Sequence, residues 1–196
     1  SLAKESESKL AMSKVFQEIE NIFNARVGEE YLGEDVKLVE HMLQCADLAK
    51  SVQAPDYLVV AALLHDIGHL LVDDAPGAHS QNRDMRHDIV GADWIEERFP
   101  SSVSEPVRLH VLAKRYLVTT NHDYLSKLSH ASVQTLYMQG GPLDQEEVVE
   151  FISKEGAEDA VRVRLWDDQA KVRDKRTSTL RDFKEAIEST VLPSLK

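Results

Sequence analysis

Between Asp56 and Ile67 the chain carries seven consecutive aliphatic residues, Leu58-Val59-Val60-Ala61-Ala62-Leu63-Leu64, with no polar side chain among them. A helix that is apolar on every side has one place in a globular domain, its centre. The pattern therefore predicts a buried helix over 56–67, with Gly68 at the C′ position where a left-handed residue ends a helix. Whatever the C-terminal end of that helix carries is delivered to the interior, and it carries His65 and Asp66. The run is far shorter than a bilayer span. The N-terminal SLAKESESKL has no apolar signal core, so a cytoplasmic protein with no membrane partner is expected.

The remaining segments read as helices that surround this one. Apolar residues recur at helical spacing at Leu10, Val15, Ile19 and Phe23, and again at Leu38, Met42, Cys45 and Ala49. The second helix follows the turn Tyr31-Leu32-Gly33-Glu34, with Asp35 as its expected N-cap. A polar loop, DDAPGAHSQNRDMR, separates Gly68 from a helix around His87–Trp94. Further helices are expected at about Ser104–Leu117, Tyr124–Met138, Gln145–Ile152, Glu158–Ala170 and Thr179–Leu192, and Gly140-Gly141-Pro142 is the clearest break in the C-terminal half. Strand-like alternation is nearly absent. With 196 residues, 42% hydrophobic and 29% charged, the economical fold is one all-α domain over 1–196. The single cysteine, Cys45, forbids an internal disulfide and excludes any multi-cysteine metal site, as in a reducing compartment. An excess of 34 acidic over 23 basic side chains, net −11, opposes a general nucleic-acid partner.

The chemistry collects on histidine. Of eight histidines, five (His41, His65, His69, His87 and His110) lie in the helices expected to pack around the apolar segment. Adjacent residues on a helix point about 100° apart, so His65 and Asp66 cannot address one ion from the same face. They can touch different sides of a small metal cluster. Imidazole with carboxylate suits iron, manganese or zinc, and a bridging Asp66 is the natural inference.

The order His41, His65-Asp66, Asp167 resembles the ligand pattern of the HD-domain superfamily, helical metal-dependent phosphohydrolases with a minority branch of oxygenases. In that superfamily two further histidines between the His-Asp pair and the last aspartate, matched here by His87 and His110, mark a dinuclear centre. The resemblance thus implies an HD-domain helical bundle holding two metals through His41, His65, Asp66, His87, His110 and Asp167. Tyr31-Leu32-Gly33-Glu34, AALLHDIGH, the run from His110 to Val118, Ala131-Ser132 with Thr135 and Gln139-Gly140-Gly141-Pro142, and Arg164-Leu165-Trp166-Asp167 are similar, over residues 31–170, to the mixed-valent di-iron organophosphonate oxygenases. Membership of that family would imply an Fe2+/Fe3+ pair and O2 as co-substrate. Its small-molecule substrate would be a 1-hydroxy-2-(trimethylammonio)ethylphosphonate, cleaved at the C–P bond to glycine betaine and phosphate. The alternative is 2-amino-1-hydroxyethylphosphonate, giving glycine.

The residues suit that role. Lys114, four residues after His110, sets a cation beside the metals, and Arg164, three before Asp167, can offer a planar fork to phosphonate oxygens or pair with nearby acids. Ser132 and Thr135 form an i, i+3 hydroxyl pair. The resemblance further implies that His69 holds a substrate or metal-bound oxygen and that Tyr31 and Glu34 close over the oxygen-binding iron until substrate displaces them. Cys45 reads as a core residue, as do Trp94 and Trp166. His79, His122 and His130 read as surface residues. Two other functions share parts of this pattern: a metal-dependent phosphohydrolase, which would turn over without oxygen, and a regulatory module, which would hold no stoichiometric metal.

Overall fold

The structure, a computed structural model, describes residues 13–31, 33–72 and 86–196. Among them the chain forms helices α1 (Lys14–Ala25), α2 (Leu38–Ser51), α3 (Asp56–Leu64), α4 (Ile67–Leu71), α5 (His87–Glu96), α6 (Ser101–Thr120), α7 (His130–Met138), α8 (Gln145–Ser153), α9 (Ala157–Gln169) and α10 (Lys184–Thr190). The only β pairing among the described residues is an isolated antiparallel bridge between Glu30 and Lys37, and no described helix is long and apolar enough to cross a membrane. Leu10, His79 and the body of the polar loop lie outside the described residues.

Helix α3 is the central element. Leu58 to Leu64 are all buried, and α2, α6, α9 and α10 pack around them. Each aliphatic side chain taken fully from water contributes about 1.5–3 kcal/mol, so the cage around α3 is the main hydrophobic asset of the fold. Phe16, Ile19, Met42, Cys45, Ile95, Val107 and Trp166 join the same core, whereas Leu109, Ala113, Leu143, Phe151 and Ala160 form a smaller cluster where α6 meets α8 and α9. The cysteine is thus a core thiol. Trp94 packs at the edge of the main core with Arg98 over its ring, and His122 and His130 are exposed.

The predicted helix over 56–67 is broken. It ends at Leu64 and resumes at Ile67, with Asp66 at φ −105° and ψ 12° between the two pieces. That conformation, in the sparsely populated bridge region, turns Asp66 away from the direction a continuous helix would impose. Gly68 is not a C′ residue either. It lies inside α4, where an added Cβ would stand 2.0 Å from the carbonyl oxygen of His87, and the Cβ of a residue at 91 would stand 3.1 Å from the nitrogen of Gly68. The two glycines let α4 and α5 touch backbone to backbone. Other boundaries shift for local reasons. Lys37, not Asp35, precedes α2, without a side-chain cap. The helix expected over 124–138 starts only at His130, where Ser129 Oγ accepts from the Ser132 N–H, after a 3-10 turn at Leu125–Lys127. The C-terminal helix opens as a 3-10 turn, Leu180–Phe183, and then runs as α10.

Gly68→Ala should therefore force α4 and α5 apart and pull His87 out of line. Overpacking of this kind costs about 1–3 kcal/mol, which in a chain of this size lowers the melting temperature by roughly 2–4 °C per kcal/mol. Calorimetry of the metal-loaded variant is expected to show that fall, and an unchanged transition would contradict the backbone contact.

Candidate metal centre

The break between α3 and α4 brings His65 and Asp66 into one buried cluster with side chains from α2, α5, α6 and α9. His41 Nε2 and His65 Nε2 lie 3.1 Å apart, and His87 Nε2 and His110 Nε2 lie 3.2 Å apart. Asp66 stands between the pairs. Its Oδ2 is 3.3 Å from His41 Nε2 and 3.3 Å from His65 Nε2, while its Oδ1 is 3.3 Å from His87 Nε2 and 3.6 Å from His110 Nε2. Asp167 Oδ1 joins the first pair, 3.2 Å from His41 and 3.7 Å from His65. All six expected ligands thus converge, with one carboxylate oxygen of Asp66 toward each histidine pair. His69 lies at the open edge, stacked on His87 at 4.0 Å between ring centroids, with its Nε2 3.9 Å from Asp66 Oδ1.

Proton placement points to cations. The Nδ1 atoms of His41, His65 and His110 donate to the carbonyls of Ala170, Ala62 and Val107 at 2.7, 2.7 and 2.6 Å. In the neutral ring that leaves each Nε2 with a lone pair aimed inward. Two such lone pairs about 3 Å apart repel unless a positive centre lies between them, and donors about 2.1 Å from one metal at right angles have that separation. Asp66 Oδ2 and Asp167 Oδ1 are buried without a hydrogen-bond donor, a costly state that a cation relieves. The residues fit two metal ions. Without them the cluster can only share protons. Burial resists charging His41 and His65, yet the adjacent carboxylates outweigh it and raise both, His65 strongly. Burial also resists charging Asp66 and Asp167, yet the positive charge of His65 on Asp66, and of Arg164 and His65 on Asp167, holds both well below the usual carboxylate range. Burial, then the charge of His69, pushes His87 down to about 3, so its imidazole is neutral at neutral pH, as a metal ligand would have to be.

Beside the cluster lie the other expected site residues. Tyr31 stacks on His41 at 4.5 Å, and burial, then the charges of Asp66 and Asp167, raises its phenol well above its ordinary value. Lys114 is buried on α6 and donates to Thr135 Oγ1 at 2.9 Å and to the Ser132 carbonyl at 3.1 Å. Glu34 accepts from Ser129 Oγ at 2.6 Å and from Lys171 Nζ at 2.8 Å, and Lys171 also donates to Ser132 Oγ at 3.0 Å. Arg164 directs its fork at carboxylates. One arm meets Asp167 Oδ2 at 2.9 Å and the other, with Nε, meets Asp168, which also accepts from the Tyr124 hydroxyl. Sequence reasoning missed Lys171, Asp168, Tyr124 and Ser129. Asp168 carried a weak signal, as a second acid beside a ligand. Lys171 carried almost none, because α9 ends at Gln169 and helical spacing does not extend to it.

A family model described as HD domain matches residues 38–148, a span that holds every ligand named above except Asp167. The chain is 39% identical over 190 residues, covering 97% of each chain, to the glycine-betaine-forming 1-hydroxy-2-(trimethylamino)ethylphosphonate dioxygenase of Leisingera caerulea. The chain belongs to the HD-domain phosphonate oxygenases. It is also 40% identical over 163 residues, 83% of this chain and 81% of the other, to the hydroxymethylphosphonate dioxygenase of Gimesia maris. The matched span contains the His65-Asp66 pair at the centre of the cluster.

Elemental analysis of this HD-domain oxygenase should find two metal ions per chain. His110→Ala should retain about one, and Asp66→Asn should lose both, because Asp66 serves both histidine pairs. Retention of two ions by Asp66→Asn would rule out the shared carboxylate.

Proposed function

We propose that the chain cleaves the C–P bond of a 1-hydroxyphosphonate with O2, its preferred substrate being 1-hydroxy-2-(trimethylammonio)ethylphosphonate and its products glycine betaine and phosphate. The observation that carries this reading is the juxtaposition of the Asp66-centred cluster with a cradle of Lys114, Ser132, Thr135 and Lys171. The two sets are tied together, since the Ala170 carbonyl holds His41 and the next residue is Lys171. The near full-length identity to a relative named for the trimethylamino compound supports the choice of substrate. The single cysteine is consistent with work in the cytoplasm.

An Fe2+/Fe3+ pair bound by His41, His65, Asp66, His87, His110 and Asp167 would supply O2 activation and the redox equivalents. The side chains then have defined tasks. Lys114, Lys171 and the hydroxyls of Ser132 and Thr135 bind the phosphonate dianion through charge-assisted hydrogen bonds. Arg164, committed to Asp167 and Asp168, holds Asp167 in register and adds fixed positive charge behind it. His69, which burial keeps below its ordinary pKa, offers a neutral ring at the open edge to accept a hydrogen bond from the C1 hydroxyl. Tyr31 and Glu34 close the site to premature oxygen chemistry. Of the two oxygen atoms of O2, one ends in the carboxylate and one in phosphate, with release of a proton.

The deciding experiment measures phosphate release with the iron-loaded protein and three substrates: the trimethylammonium, primary ammonium and unsubstituted 1-hydroxyphosphonates. Release equal to O2 consumed, highest kcat/KM for the trimethylammonium compound and none under anaerobiosis are expected. Anaerobic release with manganese would instead mark a phosphohydrolase.

Burial, then the charge of Arg164, pushes Lys114 down to about 7. The ammonium is therefore present in the free enzyme below that pH and lost above it, so phosphonate affinity should weaken as pH rises through about 7 and beyond. A charge-assisted hydrogen bond contributes about 1.5–3 kcal/mol. Lys114→Met should accordingly lower kcat/KM by roughly 10- to 100-fold at pH 6 and flatten its fall at higher pH.

A further inference from the structure

Asp168 and Tyr124 have no task in the chemistry proposed above. His41, His65, Asp66 and Asp167 each bring a ligand atom close enough to share one ion, and Asp168, the next residue along α9, stays outside that group. Adjacent residues on a helix point about 100° apart, and Arg164 bridges the two carboxylates. Its Nη1 lies 2.9 Å from Asp167 Oδ2, three residues on, while its Nε, at 3.0 Å, and its Nη2 both donate to Asp168 Oδ1, four residues on. The second oxygen of Asp168 accepts from the Tyr124 hydroxyl. Tyr124 is buried and its backbone is tied down, its N–H donating to the Asn121 carbonyl at 3.1 Å and its carbonyl accepting from the Lys127 N–H at 3.0 Å.

Each carboxylate oxygen in this row has its own direction. Asp168 turns Oδ1 to Arg164 and Oδ2 to Tyr124. Asp167 turns Oδ2 to Arg164, and its Oδ1, buried and without a donor, faces His41 and His65. An i, i+4 ion pair on a helix surface contributes little. This one is different, since only 5% of the Arg164 side chain and 13% of the Asp168 side chain are exposed. A guanidinium so close behind a metal ligand has two opposed effects: its N–H fixes the carboxylate, and its charge repels the cation that the carboxylate is to hold. The Asp168 carboxylate cancels the second effect and keeps the first.

We infer that Tyr124 and Asp168 are positioning residues for the metal centre: through Arg164 they hold Asp167 to ligation by Oδ1 alone, and they neutralise the guanidinium that does so. With Oδ2 taken by Arg164, Asp167 fills one position on its ion instead of two, which leaves a position open for substrate. Tyr124 sets the direction of Asp168 from the turn that follows α6, the helix of His110 and Lys114. The aim of a ligand on α9 is thus fixed from the end of a second helix that also carries site residues. The inference rests on the ligand set proposed above and adds to it two residues that act through Arg164.

Ferrous iron bound anaerobically to the full chain is the probe, and its transfer to a chromogenic chelator gives a release rate for each ion. His110→Ala, which removes a ligand of the other ion only, identifies the phase that belongs to the ion of His41, His65 and Asp167. Asp168→Asn should speed that phase about tenfold, the low end of the usual effect of an outer partner on metal affinity, and leave the other phase unchanged. Tyr124→Phe, which removes one hydroxyl, should speed the same phase a few-fold. In an Arg164→Met background neither substitution should speed it further, because the charge to be neutralised and the donor to be aimed are gone. A merely structural pair predicts the opposite, both ions released faster together and full effects retained without Arg164. Either of those results, or unchanged release in both Asp168→Asn and Tyr124→Phe, would overturn the positioning role. Wild-type protein that holds no ferrous iron would overturn the ligand set itself, and the positioning role with it.

Discussion

The structure depends on one carboxylate. Asp66 presents one oxygen to His41 and His65 and the other to His87 and His110, so four helices of different origin meet around a single side chain. Two pairs of imidazole lone pairs and two aspartates in an apolar interior are repulsive by themselves. They become cohesive with cations among them, which makes metal binding and folding of the centre one thermodynamic event. The apolar helix α3 supplies the counterweight, a core large enough to hold charged ligands in place while its C-terminal end breaks to aim Asp66.

Around the ligands runs a layer of orientation that is mostly backbone. Carbonyls of Ala62, Val107 and Ala170 fix three imidazoles in the tautomer that leaves Nε2 free, and such outer hydrogen bonds also raise ligand basicity. Two of those carbonyls lie three residues before their own histidine on the same helix. The third comes from the end of α9, 129 residues away from His41. The same short stretch of chain, 170–172, then carries Lys171 and is clamped by Gln44. The candidate ligand His41, the proposed phosphonate cradle and the Glu34 carboxylate are therefore all in contact with one short stretch of chain at the C-terminal end of α9.

The formal charge of −11 describes the exterior and conceals this arrangement. Inside, Lys114, Arg164 and Lys171 gather beside the candidate metal ligands, each with different partners. Arg164 is spent on Asp167 and Asp168, Lys171 is shared with Glu34, and Lys114 donates to a neutral hydroxyl and a neutral carbonyl. Lys114 is consequently the cation whose charge is most easily lost.

Much of this is legible in the order of the residues alone. Seven unbroken aliphatic residues require a central helix, and the place of His65 and Asp66 at its end requires them to be interior. The order of the other four candidate ligands, through its resemblance to the HD-domain pattern, implies a dinuclear site on an all-α frame. The remainder is decided in three dimensions. No proline or glycine separates Leu64 from Ile67, so the break that lets adjacent residues serve one cluster arises from packing and ligand geometry. Gly68 looks like a helix stop along the chain and is a backbone contact with His87 in space. Arg164 offers the same fork to a carboxylate or a phosphonate, and the neighbouring Asp168, held by Tyr124, settles its direction. Lys171 lies beyond the end of its helix, where periodicity carries no information. Local pattern determined which residues are buried and on which elements; only the meeting of distant elements, through charges that must be paired once water is excluded, decided which of them face one another.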